Sequence, residues 1–190
     1  MSEKRQNLID TAISLFGEHG FHGTGIDWIA RQAGVSKKTM YHHFRSKEEL
    51  IVAALRHHDG LFRNHFMRSV GQAGTSPYER LLAIFDVAHA WFSQNNFYGC
   101  MFINAIGEYS DRDPSISEAC KEFKRQMVAF IEELVEQIDV EVPDALASEL
   151  SILLEGSIVT AQVSGQSNVA ETARRAAKTL VDDALAANAA

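Results

Sequence analysis

A chain of 190 residues, 46% of them apolar and 23% charged, is long enough to bury a core and is not a low-complexity or disordered sequence. Its net charge of −7 argues against a protein that coats nucleic acid indiscriminately, and two cysteines, Cys100 and Cys120, leave no room for a disulfide framework or a Cys-x-x-Cys zinc site. The opening MSEKRQNLIDTA has no long apolar stretch behind its charges, and no later run reaches the roughly 18 uninterrupted apolar residues of a membrane span, so we expect a cytoplasmic protein without membrane insertion.

Strand-like alternation is absent and apolar residues recur at spacings of three and four, which predicts an all-α chain. The first helix is expected from Glu3 to His19, with Leu8, Ala12, Leu15, Phe16 and His19 on one stripe and Gly20 ending it. Thr24, with Asp27 three positions on, resembles a capping box for a second helix whose inner face is Ile26, Ile29, Ala30 and Ala33. Gly34 stops that helix and Ser36 opens a third. Ser46 to Glu49 is a full S-x-x-E box, so the third helix has only about seven residues and must be held by its neighbours. After the Gly-rich GQAGTS, Ser76-Pro77-Tyr78-Glu79 combines a cap, Pro at the first helical position and the reciprocal Glu, opening a helix to Gln94. Further helices are predicted over Cys100–Tyr109, Pro114–Ile138, Pro143–Ser164 and, capped by Asn168 with Glu171, to Ala187. The total is nine.

The charge is unevenly divided. Residues 1 to 50 hold seven Lys and Arg against six Asp and Glu, whereas residues 51 to 190 hold eleven against nineteen. Arg31, Lys37, Lys38, Arg45 and Lys47 follow one another without an intervening acid, a small basic patch on an acidic body and one footprint of local phosphate binding. Ala30, Gly34 and Met40 stand where a helix-turn-helix needs a small crossing residue, a left-handed turn and a buried anchor. In such units the second helix enters the major groove, and Lys37, Lys38, Tyr41 and His42 lie opposite Met40 and Phe44, on the outer face. Cations in a first helical turn are unfavourable by about 0.3–1 kcal/mol at an exposed site. No acid within the segment offsets them, so a phosphate neighbour is the expected compensation.

The stretch TGIDWIARQAGVSKKTMYHHFRSKEELI resembles the N-terminal domain of the TetR family of bacterial transcriptional regulators, and the length and nine-helix count are similar to that family throughout. The resemblance implies a homodimer, with a DNA-binding domain over residues 1–46 and a ligand-binding and dimerisation domain over 47–190, joined by the helix from Lys47. Carried over by position, Thr24 matches a phosphate contact. Ser36, Lys37, Lys38 and Thr39 match the start of the recognition helix, Tyr41 and His42 match contacts to phosphate or base, and Lys47 matches a phosphate-binding lysine. Three positions depart from the pattern: Gly25 replaces a hydroxyl, Lys38 stands where Gly is frequent, and Trp28 occupies a usually polar position, where it either stacks on a sugar or packs on the first helix.

Twelve of the seventeen aromatic residues lie between Phe62 and Phe130, and none follows. Aromatic groups with a few polar ones commonly line ligand cavities. Phe62, Phe66, Phe85, His89, Phe92, Met101, Phe102, Asn104, Tyr109, Phe123 and Met127 are therefore candidate ligand contacts, with core packing the plainer reading for each. The last two helices carry Leu146, Leu150, Leu153, Leu154, Ile158 and Ala161, then Ala170, Ala173, Ala177, Leu180 and Ala184. Small residues permit close helix approach, so these helices form either the dimer interface that the resemblance implies or an internal hairpin. Buried packing is the ordinary reading of Cys100 and Cys120 and a redox pair the alternative; the histidines at 42–43 and at 57, 58 and 65 lack the i, i+4 spacing of a helical metal site. No nucleophile elbow, P-loop or His-Glu-x-x-His is present, so neither an enzyme nor a cofactor is expected. The expected function is a sequence-specific repressor of double-stranded operator DNA, released by a small apolar or amphipathic effector. The alternative is a helical small-molecule binding protein with a degenerate helix-turn-helix.

Overall fold

The computed structural model describes residues 2–109 and 113–188. It contains nine helices among the described residues: α1 Glu3–His19, α2 Ile26–Gln32, α3 Lys37–His43, α4 Lys47–Ala73, α5 Pro77–Phe92, α6 Met101–Tyr109, α7 Pro114–Val135, α8 Pro143–Ser164 and α9 Val169–Asn188. They cluster into two compact units, Met1–Phe62 with Cys100–Phe123, and Arg63–Gly99 with Lys124–Ala190. The ends of these stretches at Phe62 and Phe123 fall inside α4 and α7.

In the first unit α1, α2 and α3 pack on one another. Leu8, Ala12 and Phe16 of α1 are buried with Ile29 of α2 and Met40 of α3. Ser2 caps α1 by accepting from Arg5 N at 3.3 Å, and Gly20 ends it with its N–H on Phe16 O. The capping box expected at Thr24 does not form. Gly25 is the N-cap of α2 and makes no side-chain cap bond, while Thr24 is fully buried and its hydroxyl donates to the carbonyls of Gly20 at 2.7 Å and Leu15 at 3.2 Å. The hydroxyl thus ties the α1–α2 turn to the end of α1 instead of starting a helix.

In the second unit α5, α8 and α9 pack mutually. Ser76 and Glu79 form the reciprocal capping box at α5. Glu79 also accepts from Thr75, and that hydroxyl and the Thr75 and Ser76 amides hold its carboxyl down at about 2. Among the described helices, α8 has the length and composition to cross a membrane. Its burial shows a different use for that apolarity: Leu146, Leu150, Leu154, Ile158 and Ala161 are buried on one face, while Ile152, Val159 and Val163 stay exposed on another. Lys124 of α7 meets Glu155 of α8 with Nζ–Oε2 at 2.5 Å, placing charge between those apolar stripes.

Candidate nucleic-acid interface

Three local devices position α3. Gly34 takes φ +67, a left-handed conformation that side chains rarely adopt, and turns the chain while Val35 N bonds Ala30 O at 2.9 Å. Asn7 of α1 donates to Ala33 O at 2.7 Å, satisfying a carbonyl at the end of α2. Ser36 caps α3, accepting from Thr39 N at 3.0 Å and sharing a 2.8 Å hydrogen bond with the Thr39 hydroxyl. Met40 and Phe44 are buried, and the Arg5 guanidinium of α1 lies 4.9 Å from the centre of the Phe44 ring. A seven-residue helix, marginal alone, is thereby fixed from behind and at its start.

That anchoring leaves Ser36, Lys37, Lys38, Tyr41 and His42 exposed on the outer side, with Thr39 half-buried. Two cations, a phenol, an imidazole and two hydroxyls offer donors suited to phosphate oxygens and base edges. Lys47 opens α4 and is half-buried, and burial lowers its pKa against the opposing pull of Glu48 and Glu108. Thr24 does not join this face, since its buried hydroxyl is committed to two backbone carbonyls. The hydroxyl thus serves the α1–α2 turn. Trp28 is half-buried and packs on α1, its ring 4.7 Å from that of the exposed His19.

Lys37 Nζ lies 2.8 Å from Asp27 Oδ1 and 3.1 Å from Oδ2, so an acid from the first turn of α2 offsets one of the two first-turn cations. Periodicity does not reveal this pairing, because the partners are ten positions apart and meet only through the turn. Lys38 makes no hydrogen bond or ion pair to the described residues, so for it the dipole cost stands uncompensated.

The turn preceding α2 is itself held from α6. Glu108 accepts the Phe21 amide at 2.8 Å through Oε1, and through Oε2 the His22 amide at 2.5 Å and His22 Nδ1 at 2.8 Å. The His22 ring stacks on Tyr109 at 4.8 Å and Phe21 meets the same ring edge-on at 6.3 Å. Burial pushes the Tyr109 phenol up to about 12, with Glu48, Glu108 and Asp113 adding to the shift. Sequence reading offered Tyr109 as a ligand contact, whereas its aromatic partners here are in the α1–α2 turn.

The remaining candidate ligand contacts separate into the two units. In the first, Phe62, Phe102 and Phe123 come together, with Phe102 stacked on Phe123 at 3.7 Å and Phe62 at 6.1 Å from Phe123. Met101 is buried and Asn104 half-buried. His58, whose expected place is the surface or local packing, joins this cluster with its ring 5.8 Å from those of both Phe62 and Phe102. In the second unit Phe66, Phe85, Phe92 and Met127 are buried, and His89 Nδ1 lies 3.5 Å from Glu171 of α9. Phe92 packs with Trp91 at 5.5 Å and Phe97 at 5.0 Å. Cys100 and Cys120 are buried thiols.

Burial pushes His58 down to about 4, Asp59 opposing the shift and His57 adding to it. The imidazole is neutral in the folded state until the pH approaches 4, whereas in the unfolded chain it takes up a proton near its ordinary 6.5. Over that interval the unfolded state binds more protons, so stability falls as the pH is lowered. The linked loss is about 2 kcal/mol by pH 5 and about 3 kcal/mol by pH 4. Urea titrations of wild type and His58→Phe at pH 7 and pH 5 check this: the variant is expected to lose less than half as much stability over the interval, and equal losses would refute the assignment.

A short cationic helix turned outward on the second arm of a packed helix pair, followed by a larger helical body, defines a helix-turn-helix protein. Residues 8–54 match the model described as bacterial regulatory proteins, tetR family, and residues 77–177 match the tetracyclin repressor-like C-terminal domain. The chain belongs to the TetR family. YerO of Bacillus subtilis, an HTH-type transcriptional regulator, is 40% identical over 83 residues, covering 43% of this chain and 28% of YerO. The HTH-type transcriptional repressor NemR of Escherichia coli K12 is 28% identical over 136 residues, 70% of this chain and 68% of NemR. Among solved structures, SCO4454, a TetR-family transcriptional regulator from Streptomyces coelicolor, superposes with a TM-score of 0.88 at 26% identity, covering 97% of each chain. Reduced Escherichia coli NemR gives a TM-score of 0.84 at 25% identity, with 94% of this chain and 96% of that one covered.

Proposed function

We propose that this chain is a sequence-specific, DNA-binding transcriptional repressor that works as a homodimer in the cytoplasm and leaves its operator when a small apolar or amphipathic molecule binds the helical body. The observation that carries the reading is the division of α3: Met40 is buried with the adjoining Phe44, while Lys37, Lys38, Tyr41 and His42 are exposed together. A helix held this way presents donors to a groove without losing its anchors. Ser36, Thr39 and Lys47 extend the interface to flanking phosphates.

Homodimerisation through α8 and α9 is supported by the second apolar stripe of α8. Ile152, Val159 and Val163 are 68%, 42% and 84% exposed and stand at i, i+7 and i+11 on one side of the helix. Joined across a two-fold axis, α8 and α9 of two subunits make a four-helix bundle. For the effector, the aromatic residues of the helical body supply apolar contacts, and a neutral His58 gives a hydrogen-bonding group that carries no charge.

Selection of bound sequences from random duplexes tests the reading. A two-fold symmetric motif is expected, with half-sites separated by about one helical turn of DNA or a multiple of it. Recovery of no common motif would instead favour a helical small-molecule binding protein whose helix-turn-helix has lost its DNA function.

A further inference from the structure

Phosphate attraction is the same for every duplex, so the cations that give a regulator its affinity also hold it at the wrong sequences. The patch from Arg31 to Lys47 contains five Lys and Arg and no acid. At Lys37 the structure brings in an acid from α2. Asp27, in the first turn of α2, contacts Lys37 Nζ through both carboxylate oxygens, at 2.8 and 3.1 Å, and both side chains are solvent-exposed, at 73% and 57%.

We propose that Asp27 is a specificity-determining residue, which restrains Lys37 and so suppresses binding to duplexes that lack the operator sequence. This inference rests on the DNA-binding reading of α3. A phosphate that recruits Lys37 either takes it from Asp27 or approaches the Asp27 carboxylate itself. Each route has a cost, and that cost falls on contact with phosphate. A base edge carries no net charge, so on an operator Lys37 can donate to one while keeping Asp27 and the cost is not incurred; on an unrelated duplex, held by phosphate alone, it is incurred in full. Asp27 therefore widens the gap between specific and non-specific affinity without touching a base, by placing an unfavourable element against the wrong partner. Lys38, one residue along and without such an acid among the described residues, keeps its attraction for phosphate.

The test compares wild type, Asp27→Asn, Lys37→Ala and the double variant by fluorescence anisotropy, on the selected operator and on an unrelated duplex of equal length, across a salt series. The Asn side chain keeps the shape of an exposed residue and removes only the charge. Asp27→Asn is expected to bind the unrelated duplex about 3- to 10-fold more tightly, with a log–log salt slope steeper by about 1 per subunit. Operator affinity should rise by less, so the ratio of the two affinities falls. The gain must disappear when Lys37→Ala is added. An Asp27→Asn protein with unchanged or weaker non-specific affinity, or a gain that survives loss of Lys37, overturns the inference while leaving the DNA reading intact. Wild type that binds neither duplex overturns both.

Discussion

Replacing Lys38 and Tyr41 together by alanine is expected to lower operator affinity by about 10- to 100-fold and to flatten its salt dependence. Lys38 is the first-turn cation that has no protein partner among the described residues, and Tyr41 is 46% exposed on the same outer side. One lysine lost per subunit removes one neutralised phosphate per subunit, so the log–log slope should fall by about 2 in a dimer. The phenol contributes a hydrogen bond and ring contact instead, which lower affinity without altering the slope. Both side chains project away from Met40 and Phe44, so the thermal midpoint should move little. Anisotropy titrations at several salt concentrations give both quantities. If affinity and slope both stay at wild-type values, the face assigned to DNA is wrong.

The second large effect is expected at Glu108. Its carboxylate accepts two backbone amides of the α1–α2 turn and the His22 ring, and Gly20 approaches so closely that an added Cβ would sit 3.0 Å from Glu108 Oε1. Glu108→Ala leaves two amides without their acceptor, a cost of about 2–3 kcal/mol in the stability of the first unit. Burial alone would raise the Glu108 pKa, but the His22 and Phe21 amides and the His22 side chain outweigh it and the net shift is downward. A carboxyl whose folded pKa is depressed stabilises the fold above its ordinary 4.5, and that contribution is lost as the pH falls toward the folded value. The penalty of the substitution should therefore be full at pH 7 and shrink below pH 4.5. Hydrogen exchange over residues 20–25 should quicken in the variant at neutral pH. Wild-type exchange and melting in Glu108→Ala would show that the turn holds itself.

The helices were legible because their signals are local. Ser76-Pro77-Tyr78-Glu79 states a helix start in four residues, and α5 begins where it says. Ends were less sharp: α7 stops at Val135 rather than Ile138, because Gln137 and Ile138 bond to carbonyls three residues back and the last turn tightens. Thr24 misled for a physical reason. Its pattern with Asp27 is that of a cap, but folding brings the Leu15 and Gly20 carbonyls within reach, and a buried hydroxyl bonds to those. The outer face of α3 followed from periodicity, since burial of Met40 dictates which side chains turn away. The pairing of Asp27 with Lys37, the hold of Glu108 on the turn and the place of His58 among the phenylalanines are all tertiary. They join positions that no spacing rule connects.

The partition of α3 also bears on how such a protein diverges. Its anchors and its outward groups share one short helix but no positions, so the outward ones can be exchanged with stability changes of about 0.5 kcal/mol or less. Drift at Lys37, Lys38, Tyr41 and His42 is thus free of the penalty that attends change at Met40 or Phe44. A duplicated copy can acquire a new target sequence through successive single substitutions, each of which still folds.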